Sequence, residues 1–277
     1  VSRLTKTFDV SAPWLNRVVE RKPRQLLQAV DDVSFSVPAG GCLAIVGESG
    51  CGKSTVARLV TGLYRPSAGD LNFANGRDGK TLRAQMIFQD PYASLNPRWS
   101  VKNIIAEPLR ELKLRTGAAE ITERVEELLR IVGLSPSALD VSVQAQVLNL
   151  MRELQDRLGL TYLFISHDMS VVHHMSDRVA VMYLGRIVEE GDTEEIFARP
   201  LHPYTQLLLQ TIPNVRTPNR DREPANGEVP SPLNPPSGCT FHPRCPLATA
   251  RCSSEAPKIR TSSSGARIAC HMVDVEE

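Results

Sequence analysis

No stretch of this chain is apolar for long enough to cross a bilayer, and its polar opening, VSRLTKTFDV, does not read as a signal peptide. A soluble, intracellular setting is the expectation. Net charge is also lacking: 32 Lys+Arg stand against 31 Asp+Glu, so nothing argues for an electrostatic grip on nucleic acid. Paired CxxC motifs are absent, and the six cysteines read in such a compartment as thiols or metal ligands rather than disulfides. Proline is scarce until residue 200. Of the 20 prolines, 12 lie between Pro200 and Pro257, which places a boundary near residue 200. At 277 residues the chain can bury one good core and a smaller appendage.

What is present is a full GxxxxGK[ST] run: Gly47, Glu48, Ser49, Gly50, Cys51, Gly52, Lys53, Ser54 and then Thr55. An apolar, strand-like run from Cys42 to Val46 precedes it. Val56, Leu59, Val60 and Leu63 follow at helical spacing. Strand, glycine-rich turn and helix in that order are the context a phosphate-binding loop requires. The glycines let successive N–H groups point inward at phosphate oxygens, and the helix N-terminus adds partial positive charge. Lys53 is expected to reach the β- and γ-phosphates and Ser54 to hold Mg²⁺.

Further along, Thr81 to Phe88 reads as a strand running into the polar turn Gln89 to Arg98, where Gln89 is a candidate direct or outer Mg²⁺ ligand. Residues 100–133 read as helical, with Ser100 as N-cap and Val125, Leu128, Leu129 and Val132 as a core-facing stripe. Val143, Val147, Leu150, Leu154 and Leu158 mark another amphipathic helix. The strand Tyr162 to Ile165 then ends in Ser166-His167-Asp168, which puts His167 at the carboxyl end of a parallel strand, where open α/β sheets bind ligands. His173 and His174 read as surface or packing residues. Val179 to Tyr183 and Arg186 to Glu190 form a hairpin, and Tyr204 to Thr211 is a short helix before a loop-rich tail.

The phosphate loop, the Gln89 loop, Ser137-Ala138-Leu139-Asp140 and Phe164-Ile165-Ser166-His167-Asp168 together resemble the Walker A, Q-loop, D-loop and H-loop of ABC transporter ATPases. In the tail, Leu201-His202-Pro203-Tyr204-Thr205 and PSPLNPPSGCTFHPRCP (230–246) resemble the carboxyl-terminal extension of oligopeptide and dipeptide importer ATPases. The resemblance implies an α/β, phosphate-loop NTPase fold. A parallel sheet core with a helical subdomain (about 100–134) would occupy residues 1–200, and a cysteine-bearing extension residues 201–277. It implies ATP and Mg²⁺ as ligands, His167 on the γ-phosphate, Asp140 at the nucleotide, and Phe8 stacked on adenine with Trp14 as a weaker candidate. Implied partners are a second ATPase subunit, membrane permease subunits docking at the Gln89 loop and region 100–133, and indirectly a peptide-binding protein. The implied place is the cytoplasmic face of the cell membrane.

The chain also departs from that family. No four apolar residues are followed by Asp-Glu, and no Ser-Gly-Gly signature occurs; Ile131 to Pro136 runs straight into Ser137. The absent glutamate polarises the attacking water in the family, and the signature loop closes on the partner's ATP. Three readings result: a hydrolysing importer subunit, a non-hydrolysing or degenerate nucleotide-binding subunit, and a different phosphate-loop enzyme such as a kinase. The last calls for an acceptor site and an arginine-bearing lid, which the sequence does not display. An absent central strand is also expected to leave an open slot beside Tyr162 to Ile165, or to draw the strand before Gln89 across into it.

In the tail, Cys239, Cys245, Cys252 and Cys270 lie in a region too poor in apolar residues to fold by burial alone. Four thiolates could staple it through zinc or an iron–sulfur cluster, and unligated thiols are the third option. The peptide-importer resemblance favours a four-iron cluster. Cys42 belongs to a core strand, and Cys51 fills a place in the phosphate loop where a small side chain suffices.

Overall fold

The computed structural model describes residues 1–13, 16–17, 23–74, 84–87, 101–112, 114, 117–131, 143–210 and 227–273. The chain divides into two units, one of residues 1–85 and 158–277, the other of residues 86–157.

In the first unit the strands are β1 (Ser2–Asp9), β2 (Leu26–Val33), β3 (Cys42–Val46), β4 (Ala68–Asp70), β5 (Tyr162–Ile165), β6 (Arg178–Tyr183), β7 (Arg186–Asp192), β8 (Arg260–Thr261) and β9 (Arg267–Ile268). They form an antiparallel sheet in the order β2-β1-β4 and a six-stranded sheet in the order β5-β3-β6-β7-β9-β8. Strand β3 pairs in parallel with both β5 and β6, and all five of its residues are buried. That double-sided burial is why Cys42 to Val46 is continuously apolar rather than alternating. Its side chains still sort by strand periodicity. Leu43 and Ile45 join Val56 and Leu59 of the helix Lys53–Val60 in one core, whereas Ala44 and Val46 join Val172, Tyr204 and Phe241 in the other. Each fully buried Leu or Ile contributes about 1.5–3 kcal/mol, so β3 anchors both layers.

The expected pairing of Tyr162 to Ile165 with Cys42 to Val46 is observed, in the register Ile45 to Ile165. Among the described residues no strand lies on the other edge of β5. The junction at residues 135–137 falls outside the described residues. Two expectations change. Ala84 to Ile87, the described part of the strand expected before Gln89, has no strand structure, and Ile87 is largely exposed. With no described partner strand, its backbone groups stay outside any ladder. The helix after the phosphate loop also stops at Val60 and leaves Leu63 exposed, because Gly62 (φ 75°) takes the left-handed conformation that ends a helix. The hairpin β6-β7 and the helix Pro203–Gln210 are as expected. The antiparallel sheet β2-β1-β4 was not foreseen.

In the second unit the helices Val101–Glu111 and Ala118–Ile131 pack around Ala106, Leu109, Ile121, Val125 and Leu129. The helix Val143–Leu158 follows, ending at the boundary of the unit. Among the described residues no helix is long and apolar enough to cross a membrane.

Candidate nucleotide-binding site

Strand β3 delivers the chain into Gly47, and the helix opens at Lys53 with Gly52 as its N-cap. The turn between them depends on glycine at two points. Gly47 has φ 147°, and a Cβ there would run into the carbonyl oxygen of Met182. Gly52 has φ 110°, and its Cβ would meet the carbonyl oxygen of Ala29. Any other residue would be strained in conformation and blocked in space. At the helix start, the Thr55 and Val56 N–H groups donate to the Gly52 carbonyl at 3.0 Å. No side chain caps this end, so its partial positive charge stays available to an anion.

Lys53 folds back over the loop. Its Nζ donates to the Gly47 carbonyl at 2.7 Å and to the Glu48 carbonyl at 2.8 Å, which keeps the ammonium at the loop mouth. Ser49, Gly50 and Ser54 are exposed, whereas Gly47 and Cys51 are buried. Burial pushes the Cys51 thiol up despite the neighbouring Lys53, so it stays protonated and serves packing.

His167 leaves β5 two residues after Ile165, and Gly47 leaves β3 two residues after Ile45. Since Ile45 and Ile165 are paired, the exposed His167 and the phosphate loop emerge from neighbouring strands at one level. Asp168 caps the next helix, accepting from the Ser170 and Val171 N–H groups at 2.9 and 3.2 Å. Phe8 lies on β1, with its ring edge-on to Tyr64 at 5.4 Å and Lys6 Nζ 5.0 Å from its centroid. Gln89, Asp140 and Trp14 lie outside the described residues. His173 packs on Phe197 with ring centroids 4.6 Å apart, a packing role.

The four distal cysteines are all free thiols. Burial pushes Cys239 up first, and Cys252, Cys270 and Cys245 add to the effect. The thiols therefore share one neighbourhood. Yet among the described residues no three His, Cys, Asp or Glu side chains are grouped so as to hold a metal ion. Two of them make local bonds instead: Cys252 Sγ meets Thr249 Oγ1 at 3.4 Å, and Cys270 Sγ accepts from the Met272 N–H at 3.4 Å. Spacing thus gives the expected tail metal centre no support.

Two segments match known families: the ABC transporter family over residues 30–167, and the oligopeptide/dipeptide transporter C-terminal region over residues 188–252. A probable peptide ABC transporter ATP-binding protein of Sinorhizobium fredii is 43% identical, covering 98% of this chain and 89% of that protein. The chain belongs to the ATP-binding proteins of the oligopeptide/dipeptide ABC transporter family. The oligopeptide transport ATP-binding protein AppF of Bacillus subtilis is 44% identical (89% of this chain, 90% of that protein). The dipeptide transport protein DppF of Haemophilus influenzae is also 44% identical, with 91% of each chain covered. The first alignment runs over 321 positions, more than this chain has residues, so that relative carries some tens of residues without a counterpart here. In fold, the chain is similar to a dimeric ATP-binding cassette solved in a post-hydrolysis state with ADP and phosphate. The TM-score is 0.52 at 19% identity, over 69% of this chain and 97% of that one.

Within this family member the sequence reading missed the residues that hold Glu48. The Arg244 guanidinium grips its carboxylate, and the Tyr204 hydroxyl accepts its N–H at 2.9 Å. The only sequence signal was that both sit in the two tail runs that carried the peptide-importer resemblance.

Proposed function

We propose that this chain is the ATP-binding subunit of an ABC importer for oligopeptides or dipeptides, coupling ATP binding and hydrolysis to passage of peptide through the membrane. One observation carries the reading: a complete phosphate loop at the end of the central parallel strand shares one unit with an oligopeptide/dipeptide-type carboxyl-terminal region. Residues 1–200 then serve as the nucleotide-binding domain, with a helical subdomain at about 100–134, and residues 201–277 as the importer-type extension. Gly47 to Thr55 cradle the phosphates, with Lys53 directed to the β- and γ-phosphates; Ser54 and Gln89 would be the residues to hold Mg²⁺, which would supply positive charge to the phosphate oxygens. His167 contacts the γ-phosphate, Phe8 stacks on adenine, and Asp140 lines the nucleotide from the D-loop.

The partners on this reading are a second ATPase subunit, permease subunits in the membrane, and through them a peptide-binding protein. The chain then sits peripherally on the cytoplasmic face. A four-iron cluster or zinc on Cys239, Cys245, Cys252 and Cys270 belongs to the proposal on donor chemistry alone.

The test is peptide uptake in cells deleted for this chain, together with binding of a fluorescent ATP analogue to the purified protein. Uptake of a labelled dipeptide or tripeptide is expected to fall, and to return with the parent chain but not with Lys53→Ala. Restoration by Lys53→Ala, or unchanged uptake on deletion, would refute the proposal.

A further inference from the structure

Residue 48 of the phosphate loop is held from the tail by both its side chain and its backbone. Arg244 donates to Glu48 Oε2 at 2.8 Å from one terminal nitrogen and to Oε1 at 3.0 Å from the other. This is the bidentate fork that gives an ion pair directional strength. The Arg244 side chain is 4% exposed and that of Glu48 30%, so the arginine is fixed from the tail side and the carboxylate is what it fixes. The Tyr204 hydroxyl meanwhile accepts the Glu48 N–H at 2.9 Å.

Both anchors are themselves anchored. Arg244 ends the short helical turn His242–Arg244, with its guanidinium 5.9 Å from the Tyr183 ring and 6.0 Å from the Phe241 ring. The Tyr204 N–H donates to His202 Nδ1 at 3.0 Å. The two carboxylate oxygens of buried Glu189 accept the Leu201 and His202 N–H groups at 2.8 and 3.0 Å. The Leu-His-Pro-Tyr-Thr run therefore has a physical purpose: it sets the Tyr204 hydroxyl.

The loop has reason to need such holding. Gly47, Gly50 and Gly52 all have positive φ, and so glycine-rich a turn loses much conformational freedom when it closes around a polyphosphate. Between Gly47 and Gly50 only Glu48 and Ser49 carry side chains, and Ser49 is exposed. Glu48 is thus the handle by which the rest of the protein can fix this stretch. The fork has an electrostatic effect as well, since a carboxylate in a loop that receives polyphosphate repels it unless a cation neutralises it.

We propose that Arg244 and Tyr204 of the carboxyl-terminal extension are positioning residues for the phosphate loop, presetting it through Glu48 for the polyphosphate of ATP. The proposal rests on the nucleotide reading of this loop given above.

The test titrates the full chain with a fluorescent ATP analogue and, by competition, with ATP, ADP and adenosine. Parent, Lys53→Ala, Tyr204→Phe, Arg244→Met and Arg244→Lys are compared, with thermal midpoints measured alongside. Tyr204→Phe removes one hydroxyl and is expected to weaken ATP binding about fivefold, the scale of a single lost hydrogen bond. Arg244→Met bares the Glu48 carboxylate and is expected to weaken ATP about tenfold or more, on the scale of a charged hydrogen bond. Its losses should be graded ATP over ADP over adenosine. Arg244→Lys should recover most of them, because it keeps the charge. Parent-like affinity in both Tyr204→Phe and Arg244→Met would overturn the proposal. So would losses that ignore phosphate number and merely follow the thermal midpoint, which is what a buried arginine with a purely structural role predicts. A parent chain that binds ATP no better than Lys53→Ala would overturn the nucleotide reading, and this inference with it.

Discussion

Acid is expected to loosen the corner that sets Tyr204, through the protonation of His202. This imidazole is 1% exposed, and burial lowers it from 6.5 to about 4. The folded chain therefore keeps it neutral, with Nδ1 accepting the Tyr204 N–H. An unfolded chain takes up the proton near pH 6.5, whereas the folded chain resists until about pH 4. Across that window the unfolded state binds more protons, so stability falls as pH falls. At about 1.36 kcal/mol for each unit of pKa difference, the whole loss is a little over 3 kcal/mol, and roughly 3 kcal/mol of it has gone by pH 4. Glu189 works in the opposite sense: burial raises its pKa, so its contribution fades as pH rises from the acid side. Comparison with His202→Asn removes that complication, because both chains keep Glu189 and an asparagine carbonyl can accept the same N–H. Urea unfolding of both proteins between pH 7.5 and pH 4 is the assay. The parent is expected to lose roughly 3 kcal/mol more than the variant over that range. Stability curves that run parallel across the window would refute the reasoning.

Lys53→Ala should weaken ATP-analogue binding by on the order of 2 kcal/mol, the scale of a charge-assisted contact to phosphate, as read by fluorescence titration. Gly47→Ala should cost on the order of 2–3 kcal/mol in urea unfolding and abolish analogue binding, because the Met182 carbonyl occupies the space and φ is positive. Elemental analysis of protein purified without oxygen decides the proposed tail centre: iron with sulfide, or stoichiometric zinc, that is lost on replacing Cys239 and Cys245 by serine would support it, and metal-free protein that retains its fold would remove it from the proposal.

The phosphate-loop motif was legible in the sequence because its parts are local. Gly47 to Thr55 announces itself within nine consecutive residues, and the strand before it is identified by unbroken apolarity that only double-sided burial explains. His167 needed one non-local step, the parallel pairing of Cys42–Val46 with Tyr162–Ile165, and the βαβ pattern supplied it. Where local signal was weak, the reading failed. Ser2–Asp9 mixes polar and apolar residues at half-exposed positions, so only its pairing with Leu26–Val33 reveals a strand. The tail cysteines show the converse. Their composition suggested a shared metal, whereas the thiols of Cys252 and Cys270 are bonded close by in sequence.

The hold on Glu48 was illegible for a different reason. In GxxxxGK[ST] its position accepts any residue, and Arg244, 196 residues later, reads as one cation in a proline-rich run. What joins them is sheet register. Strand β6 pairs with β3 so that Val181 lies beside Val46, and two residues further on Tyr183 comes level with Glu48. Tyr183 then becomes the floor on which the tail is laid. The Tyr204 ring packs on it at 4.6 Å and the Phe241 ring at 5.3 Å, which carries Arg244, three residues beyond Phe241, onto the carboxylate. Every step in that chain of placement is tertiary, and each depends on the one before. A substitution at Tyr183 should therefore reach the phosphate loop through two tail residues at once, although nothing in its own sequence neighbourhood points to nucleotide.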